Sequence, residues 1–140
     1  MVEAQNSSQG NKQQVLESIR EADASYAEPG KYLGYGTAGF RAHSRFLERA
    51  FFRVGVIVAM RAKCVGLVGV MITASHNHHA DNGVKIVEPD GSMLVPSWEP
   101  FIEKAVNATS EEFINILSNA YSESIADMIS DDELFGVCPV

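Results

Sequence analysis

At 140 residues with 46% apolar side chains, the chain is long enough for one modest domain with a real core, which excludes the large disordered and fibrous classes. A net charge of −7 argues against nucleic acid as the main partner, and no apolar run approaches the roughly 18 residues of a membrane span, so no membrane partner is expected. Cys64 and Cys138 fit no metal or redox spacing and make no disulfide framework; together with a polar N terminus unlike a secretory signal, they point to a cytoplasmic protein.

Residues 1–10 read as a disordered tail. Val15, Ile19 and Ala22 fall at i, i+4 and i+7 and predict a short helix from about Lys12 to Ala24. Pro29-Gly30 breaks the chain, so residues 1–30 form a tail with a short helix ahead of a domain over 31–140. From Tyr32 to Arg41 the chain is punctuated by Gly34, Gly36 and Gly39, which permit backbone amides to approach a ligand, although a structural turn is the ordinary reading. Leu47, Ala50, Phe51, Val54 and Val58 predict an amphipathic helix from about Arg45 to Lys63 that packs on a sheet. Cys64 to Ile72, rich in aliphatic residues, predicts a strand covered on both faces, and Val84 to Val87 predict a second.

Glu88-Pro89-Asp90-Gly91 has the chemistry of a type I turn and predicts a hairpin into Met93-Leu94-Val95. Ser97 stands where an N-cap would start a helix to about Asn107, and Thr109-Ser110-Glu111-Glu112 spells a capping box ahead of Phe113, Ile116, Leu117 and Ala120. Glu123 to Glu133 is acidic and helix-prone, and Leu134 opens a strand-like stretch. The expected fold class is α/β: a mixed β-sheet layer packed by helices, with a polar loop at the C-terminal end of the first long strand.

That loop, Thr73 to Gly83, carries the chemistry. It gathers Ser75, three imidazoles, Asn77, Asn82 and Asp81, with Lys85 just beyond. Residues 31–85 hold eight basic and two acidic residues, a net +6, whereas residues 86–140 carry −10. A cationic block beside a hydroxyl and amides suits an anionic ligand such as a phosphate, unless Arg45, Arg49, Arg53 and Arg61 merely form the solvated face of their helix. A serine-hydrolase triad finds no support, because His76 adjoins Ser75 and no Gly-x-Ser-x-Gly elbow is present. His76, His78, His79 and Asp81 have metal-binding side chains, yet ligands crowded on one loop rarely close a site without a distant partner; a solvated loop is the alternative.

Thr73-Ala-Ser-His-Asn77 followed by Asp81-Asn-Gly-Val-Lys85 resembles the phosphoserine signature of the α-D-phosphohexomutases. Gly36-Thr-Ala-Gly-Phe-Arg41 is similar to the segment that opens domain 1 of that superfamily. Tyr35, Asp90-Gly-Ser-Met-Leu94 and Pro96-Ser-Trp-Glu99 look most like its branch acting on N-acetylglucosamine phosphates. The resemblance implies a domain-1-like α/β fold over 31–140, with the phosphoserine loop at 73–85, and a phosphorylated amino sugar as substrate. It also implies interconversion of the 6-phosphate and the 1-phosphate through a phosphoserine and a bisphosphorylated sugar, toward UDP-N-acetylglucosamine. By the same similarity Ser75 carries the phosphoryl group, and Lys85 is the acid/base or charge stabiliser. Arg41 faces the phosphoserine, His76 and Asn77 shape the loop, and Thr73 and Asn77 border the substrate. Mg²⁺ would bind through the phosphate on Ser75.

Two departures accompany the resemblance. His78 stands where the family has proline, which removes a φ restraint. The family's Asp-x-Asp-x-Asp loop, sugar-recognition loop and remaining domains are absent from the sequence, so the expectation is a truncated domain 1, inactive by itself and missing the main Mg²⁺ ligands. A non-catalytic binding or regulatory module that chelates metal through the histidine loop is the alternative.

Overall fold

The computed structural model describes residues 2–124, with side chains from 10 to 119. The element order is α1 (Val2–Ala24), β1 (Phe40–His43), α2 (Glu48–Val65), β2 (Gly69–Ile72), β3 (Asp81–Val87), α3 (Glu99–Asn107) and α4 (Ser110–Ser124). Short 3₁₀ turns at Ser44–Phe46 and Pro96–Trp98 lead into α2 and α3. The α/β layer is as expected, but its sheet is antiparallel throughout rather than mixed: order β1-β3-β2, with Phe40 opposite Val84 and Met71 opposite Lys85.

Alternation along β1 and β3 turns Phe40, Ala42, Val84 and Ile86 to one face. They form the core there with Leu47 just ahead of α2, Ala50, Val54, Ile57 and Met60 of α2, Ile102, Ala105 and Val106 of α3, and Phe113, Ile114 and Leu117 of α4. Each apolar set recurs at helical spacing, so burial of one stripe fixes the rotation of each helix. α2 packs chiefly against α3, and more lightly against α1 and β3.

Several expectations need correction. Residues 2–10 continue α1 rather than forming a tail, because extending a nucleated helix costs far less than starting one and no proline interrupts the segment. The apolar run at 64–72 divides: α2 continues to Val65, Gly66 turns at φ 93°, and only Gly69–Ile72 is strand. β2 lies at the sheet edge with Val70, Met71 and Ile72 about half exposed, at 45%, 46% and 52%. An apolar run alone does not separate an edge strand from a central one; β3 takes the centre. Ser97 caps nothing: α3 starts after Trp98 without a side-chain cap, aided by Pro100 in its first turn.

Other local signals hold. Gly91 N donates to Glu88 O at 2.9 Å and Gly91 sits at φ 85°, a type I turn closed by a left-handed glycine, although the return strand is a single bridge from Val87 to Met93. The Thr109 capping box is complete: Thr109 N donates to Glu112 Oε2 at 2.9 Å and Glu112 N to Thr109 Oγ1 at 3.2 Å. Most of the acidic run 123–133, and the strand-like stretch after it, lie outside the described residues.

The arginines of α2 are the largest departure. Arg53 is fully buried; its Nε and Nη2 bind both carboxylate oxygens of Asp23 at 2.7 and 2.8 Å. Its Nη1 donates to the carbonyls of Ala105, Val106 and Ala108 at 3.0, 3.0 and 2.7 Å, and its guanidinium lies 4.5 Å from the Phe113 ring centroid. Arg61 makes a bidentate pair with Glu88 at 2.9 and 2.8 Å while covering Trp98, and Arg49 donates to Tyr26 O. Only Arg45 is exposed as a solvated-face residue would be. The four arginines therefore supply neither a single solvated face nor a ligand field: three are structural clamps.

Arg53→Ala leaves Asp23 charged and buried without its partner, so urea unfolding should show a loss of about 3–5 kcal/mol, against less than about 0.5 kcal/mol for Arg45→Ala. Burial pushes the Asp23 carboxyl up, but the bonds from Arg53 and Ser110 outweigh it and hold it below its ordinary 3.8. Its contribution is therefore complete above that pH and declines as the pH falls through the depressed value. Urea midpoints followed downward from pH 5 should fall less steeply in Asp23→Asn than in the parent chain.

Candidate active site at the serine loop

The loop joining β2 to β3 is shaped by its own polar groups. Thr73 N donates to Gly83 O at 3.0 Å and closes the base of the hairpin, and Asn77 N donates to Ala74 O at 3.0 Å. Between them Ser75 adopts φ 54°, the one non-glycine residue in the left-handed region among the described residues. That conformation costs an L-residue about 1–2 kcal/mol, and a hydrogen bond from Ser75 N to Thr73 Oγ1 at 2.9 Å offsets part of it.

Ser75 Oγ stands exposed, 3.4 Å from Nδ1 of its neighbour His76. Asn77 is a bridge: its Oδ1 accepts from Arg41 Nη1 at 3.4 Å and its Nδ2 donates to Asp81 Oδ2 at 3.3 Å. Asp81 N donates to His78 O at 2.9 Å, and Ser44 N to Ala80 O at 2.9 Å, so the far arm of the loop is tied to the end of β1.

Pairing in the sheet decides which cations join the loop. Arg41 lies opposite Gly83 and Lys85 two residues further along β3, so pleat alternation puts both on the face away from the core, as diagonal neighbours. Among the described residues neither makes an ion pair with a carboxylate, and the buried Nε of Arg41 has no acceptor at all. The structure thus brings Arg41 and Asn77 together, sets Ser75 against His76 and Thr73, and puts Lys85 on the sheet face shared with Arg41.

The glycine segment forms the structural turn that is its ordinary reading, with Gly36 and Gly39 exchanging backbone hydrogen bonds at 3.3 and 2.8 Å. Gly39, at φ 71°, backs onto β3 so closely that a Cβ would stand 2.2 Å from Val84 O and 2.6 Å from Lys85 Cβ. Gly83 is similarly crowded by the carbonyls of Thr73 and Phe40, at 2.7 and 2.8 Å from an added Cβ. Both let main chain approach main chain, not ligand. The sequence reading gave no structural role to Tyr35, whose Oη accepts from Ile86 N at 3.0 Å and continues the β3 ladder where β1 has not yet begun. Its edge-on contact with Phe40, at 5.0 Å, fixes the ring. Tyr35 N and Tyr32 Oη both donate to Glu103, which holds that carboxyl below its ordinary value and anchors the glycine segment to α3. A tyrosine flanked by glycines just ahead of a strand was the available signal.

A family model for phosphoglucomutase/phosphomannomutase, alpha/beta/alpha domain I, matches residues 54–113. Phosphoacetylglucosamine mutase of Sus scrofa is 41% identical over 118 residues, which are 83% of this chain and 22% of that protein. N-acetylphosphoglucosamine mutase of Aspergillus fumigatus, solved as a variant in complex with glucose 1,6-bisphosphate, superposes with TM-score 0.74 at 40% identity, over 78% of this chain and 21% of that one. The same fungal enzyme in complex with GlcNAc-6P and magnesium gives TM-score 0.68 at 39% identity, over 79% and 21% of the two chains. Residues 54–113 thus match a phosphohexomutase domain, and most of the chain is similar to the N-acetylglucosamine-phosphate members of that group. It spans about a fifth of the length of the relatives it matches.

Phosphohexomutase chemistry with a divalent cation needs a cage of oxygens, and Mg²⁺ takes six in near-octahedral array. Among the described residues no three His, Cys, Asp or Glu side chains converge on one point, so they do not fit a Mg²⁺ site by themselves. The same finding leaves the histidine-chelation reading without support: His78 and His79 pack ring to ring at 4.0 Å instead of opening toward a common ligand.

Two glycine substitutions separate backbone strain from steric clash. Gly91→Ala, at φ 85° in open space, should cost about 1 kcal/mol in urea unfolding. Gly39→Ala adds collision with β3 to similar strain, so its cost should exceed that of Gly91→Ala by at least about 1 kcal/mol.

Proposed function

We propose that this chain supplies the phosphoserine part of an active site that interconverts N-acetylglucosamine 6-phosphate and N-acetylglucosamine 1-phosphate, toward UDP-N-acetylglucosamine. The observation that carries the reading is the pair Arg41 and Lys85: two cations on one sheet face beside an exposed serine loop, without carboxylate partners among the described residues, one with a buried donor lacking any acceptor there. A buried unpaired donor is costly, and a phosphate dianion with several strong acceptor oxygens relieves it.

Phosphoserine at position 75 is the phosphoryl donor. A sugar hydroxyl oxygen attacks phosphorus and the Oγ–P bond breaks with its electron pair left on Ser75 Oγ. The hydroxyl proton passes to that oxygen, with Lys85 as the acid/base that exchanges it. The bisphosphorylated sugar then turns over and returns its other phosphoryl group to Oγ, and the proton travels back to the sugar. Arg41 neutralises charge on the moving phosphoryl group, so catalysis rests on positioning and electrostatics.

His76, 3.4 Å from Oγ, orients the serine. Asn77 and Thr73 border the sugar. Mg²⁺ belongs to the assembled enzyme in this proposal, on the strength of the fungal relative in complex with magnesium, and no step above passes through it. The remaining domains would bring the rest of the sugar site, so the 140-residue chain alone is proposed to be inactive. Cytoplasmic residence is part of the same proposal.

The test is a chimera in which residues 32–119 replace the matching part of the fungal mutase. It should interconvert the two sugar phosphates; Ser75→Ala should reduce the rate to background, and Lys85→Ala by about 10²–10⁴-fold. A normal rate after Ser75→Ala overturns the reading, and turnover by the unextended chain at a relative's rate overturns its incompleteness.

A further inference from the structure

Thr73 directly precedes the loop whose serine adopts a backbone conformation that L-residues rarely take. Its own backbone is committed to the sheet through Thr73 N and Gly83 O, which fixes its Cα relative to β3. Thr73 Oγ1 accepts from Ser75 N at 2.9 Å, two residues on, and thereby bends the chain back at that serine. Gly83, the residue to which Thr73 bonds, is the cross-strand partner of Arg41. Two bonds, Thr73 N to Gly83 O and Ser75 N to Thr73 Oγ1, therefore tie the backbone amide of Ser75 to the residue that lies opposite Arg41 in the sheet.

We infer that Thr73 is a positioning residue. Its hydroxyl holds Ser75 in the left-handed conformation so that a phosphoryl group on Oγ is presented to the unpartnered Nε of Arg41. Without the hydroxyl, Ser75 relaxes to an extended or right-handed backbone, which re-aims Oγ while the sheet, the core and Arg41 stay in place. β-branching is not the requirement; the acceptor oxygen is. Serine at position 73 preserves the function, whereas valine, which has the same shape without the oxygen, loses it. The inference rests on the reading of Ser75 as the phosphorylated residue and of Arg41 as its partner.

The experiment uses the full 140-residue chain, made with serine or with phosphoserine at position 75, in parent, Thr73→Ser and Thr73→Val backgrounds. Nuclear magnetic resonance follows the solvent exchange of the Arg41 Nε proton, the Ser75 carbon shifts that mark a left-handed backbone, and thermal unfolding as a check on the fold. In the parent chain phosphorylation should slow that exchange by about tenfold or more. Thr73→Ser should retain the slowing, and Thr73→Val should reduce it to less than about twofold and lose the left-handed carbon shifts.

Equal slowing in the parent and in Thr73→Val overturns this inference and leaves the phosphoserine reading intact. No slowing in the parent overturns both. If Thr73→Val fails to fold, Thr73→Ala replaces it under the same criteria.

Discussion

Arg53 is the constraint on which the rest of the molecule depends. One guanidinium, buried at the centre of the helical layer, spends its donors on Asp23 of α1 and on three carbonyls at the C-terminal end of α3 and just beyond it. Those carbonyls are among the groups a helix end leaves without partners, and buried in a core they need a donor. The planar fork of arginine meets a carboxylate and a helix end together in a way that the point charge of lysine does not. Ser110, the first residue of α4, donates to the same Asp23, so four helices meet at one polar knot inside an otherwise apolar core. Such a knot gains little net free energy over a well-packed apolar one, but it leaves few alternative arrangements for α1, α3 and α4.

From that knot the structure proceeds outward in two directions. Arg61 and Glu88 join α2 to the end of β3, and through Val95 N, which donates to Glu88, to the turn that leads into α3. β3 is then fixed at the centre of the sheet, and its outward residues, Gly83 and Lys85, share a face with Arg41. The serine loop hangs from that framework by main-chain bonds at Thr73, Ala80 and Asp81. A rigid scaffold holding a short polar loop is the arrangement in which a few side chains can be positioned for chemistry without each being buried. The local cost is concentrated at Ser75, and the Thr73 hydroxyl meets part of it.

Much of the candidate site was legible in the sequence because it is local. Thr73 to Asn77 and Asp81 to Lys85 lie on one hairpin, so their proximity follows from chain connectivity. The capping box at Thr109 and the turn at Glu88 to Gly91 were legible for the same reason: each is settled by residues three or four apart. Arg41 is distant in sequence, and only its motif, not its spacing, pointed to the loop. The α2 arginines were not legible. Spacing placed them off the apolar stripe, which is ordinarily solvent-facing, and the carboxylates that draw them inward lie about thirty residues away on other elements. The edge position of β2 was hidden likewise, since an apolar run reports what a strand is made of but not which neighbours it has.

What the sequence by itself determined is the α/β class, the existence of α2 and α4, the turn chemistry and a candidate serine loop, because periodicity, capping and short motifs act within a few residues. What only the tertiary structure decided is which cations are spent on structure and which remain for a ligand. That choice depends on pairings between residues tens of positions apart: Arg53 with Asp23 and Arg61 with Glu88 are neutralised in the interior, while the register of β1 on β3 leaves Arg41 and Lys85 together on the open face, with no ion pair among the described residues. Charge is counted along a chain, but its availability is set by which opposite charge the fold brings within reach.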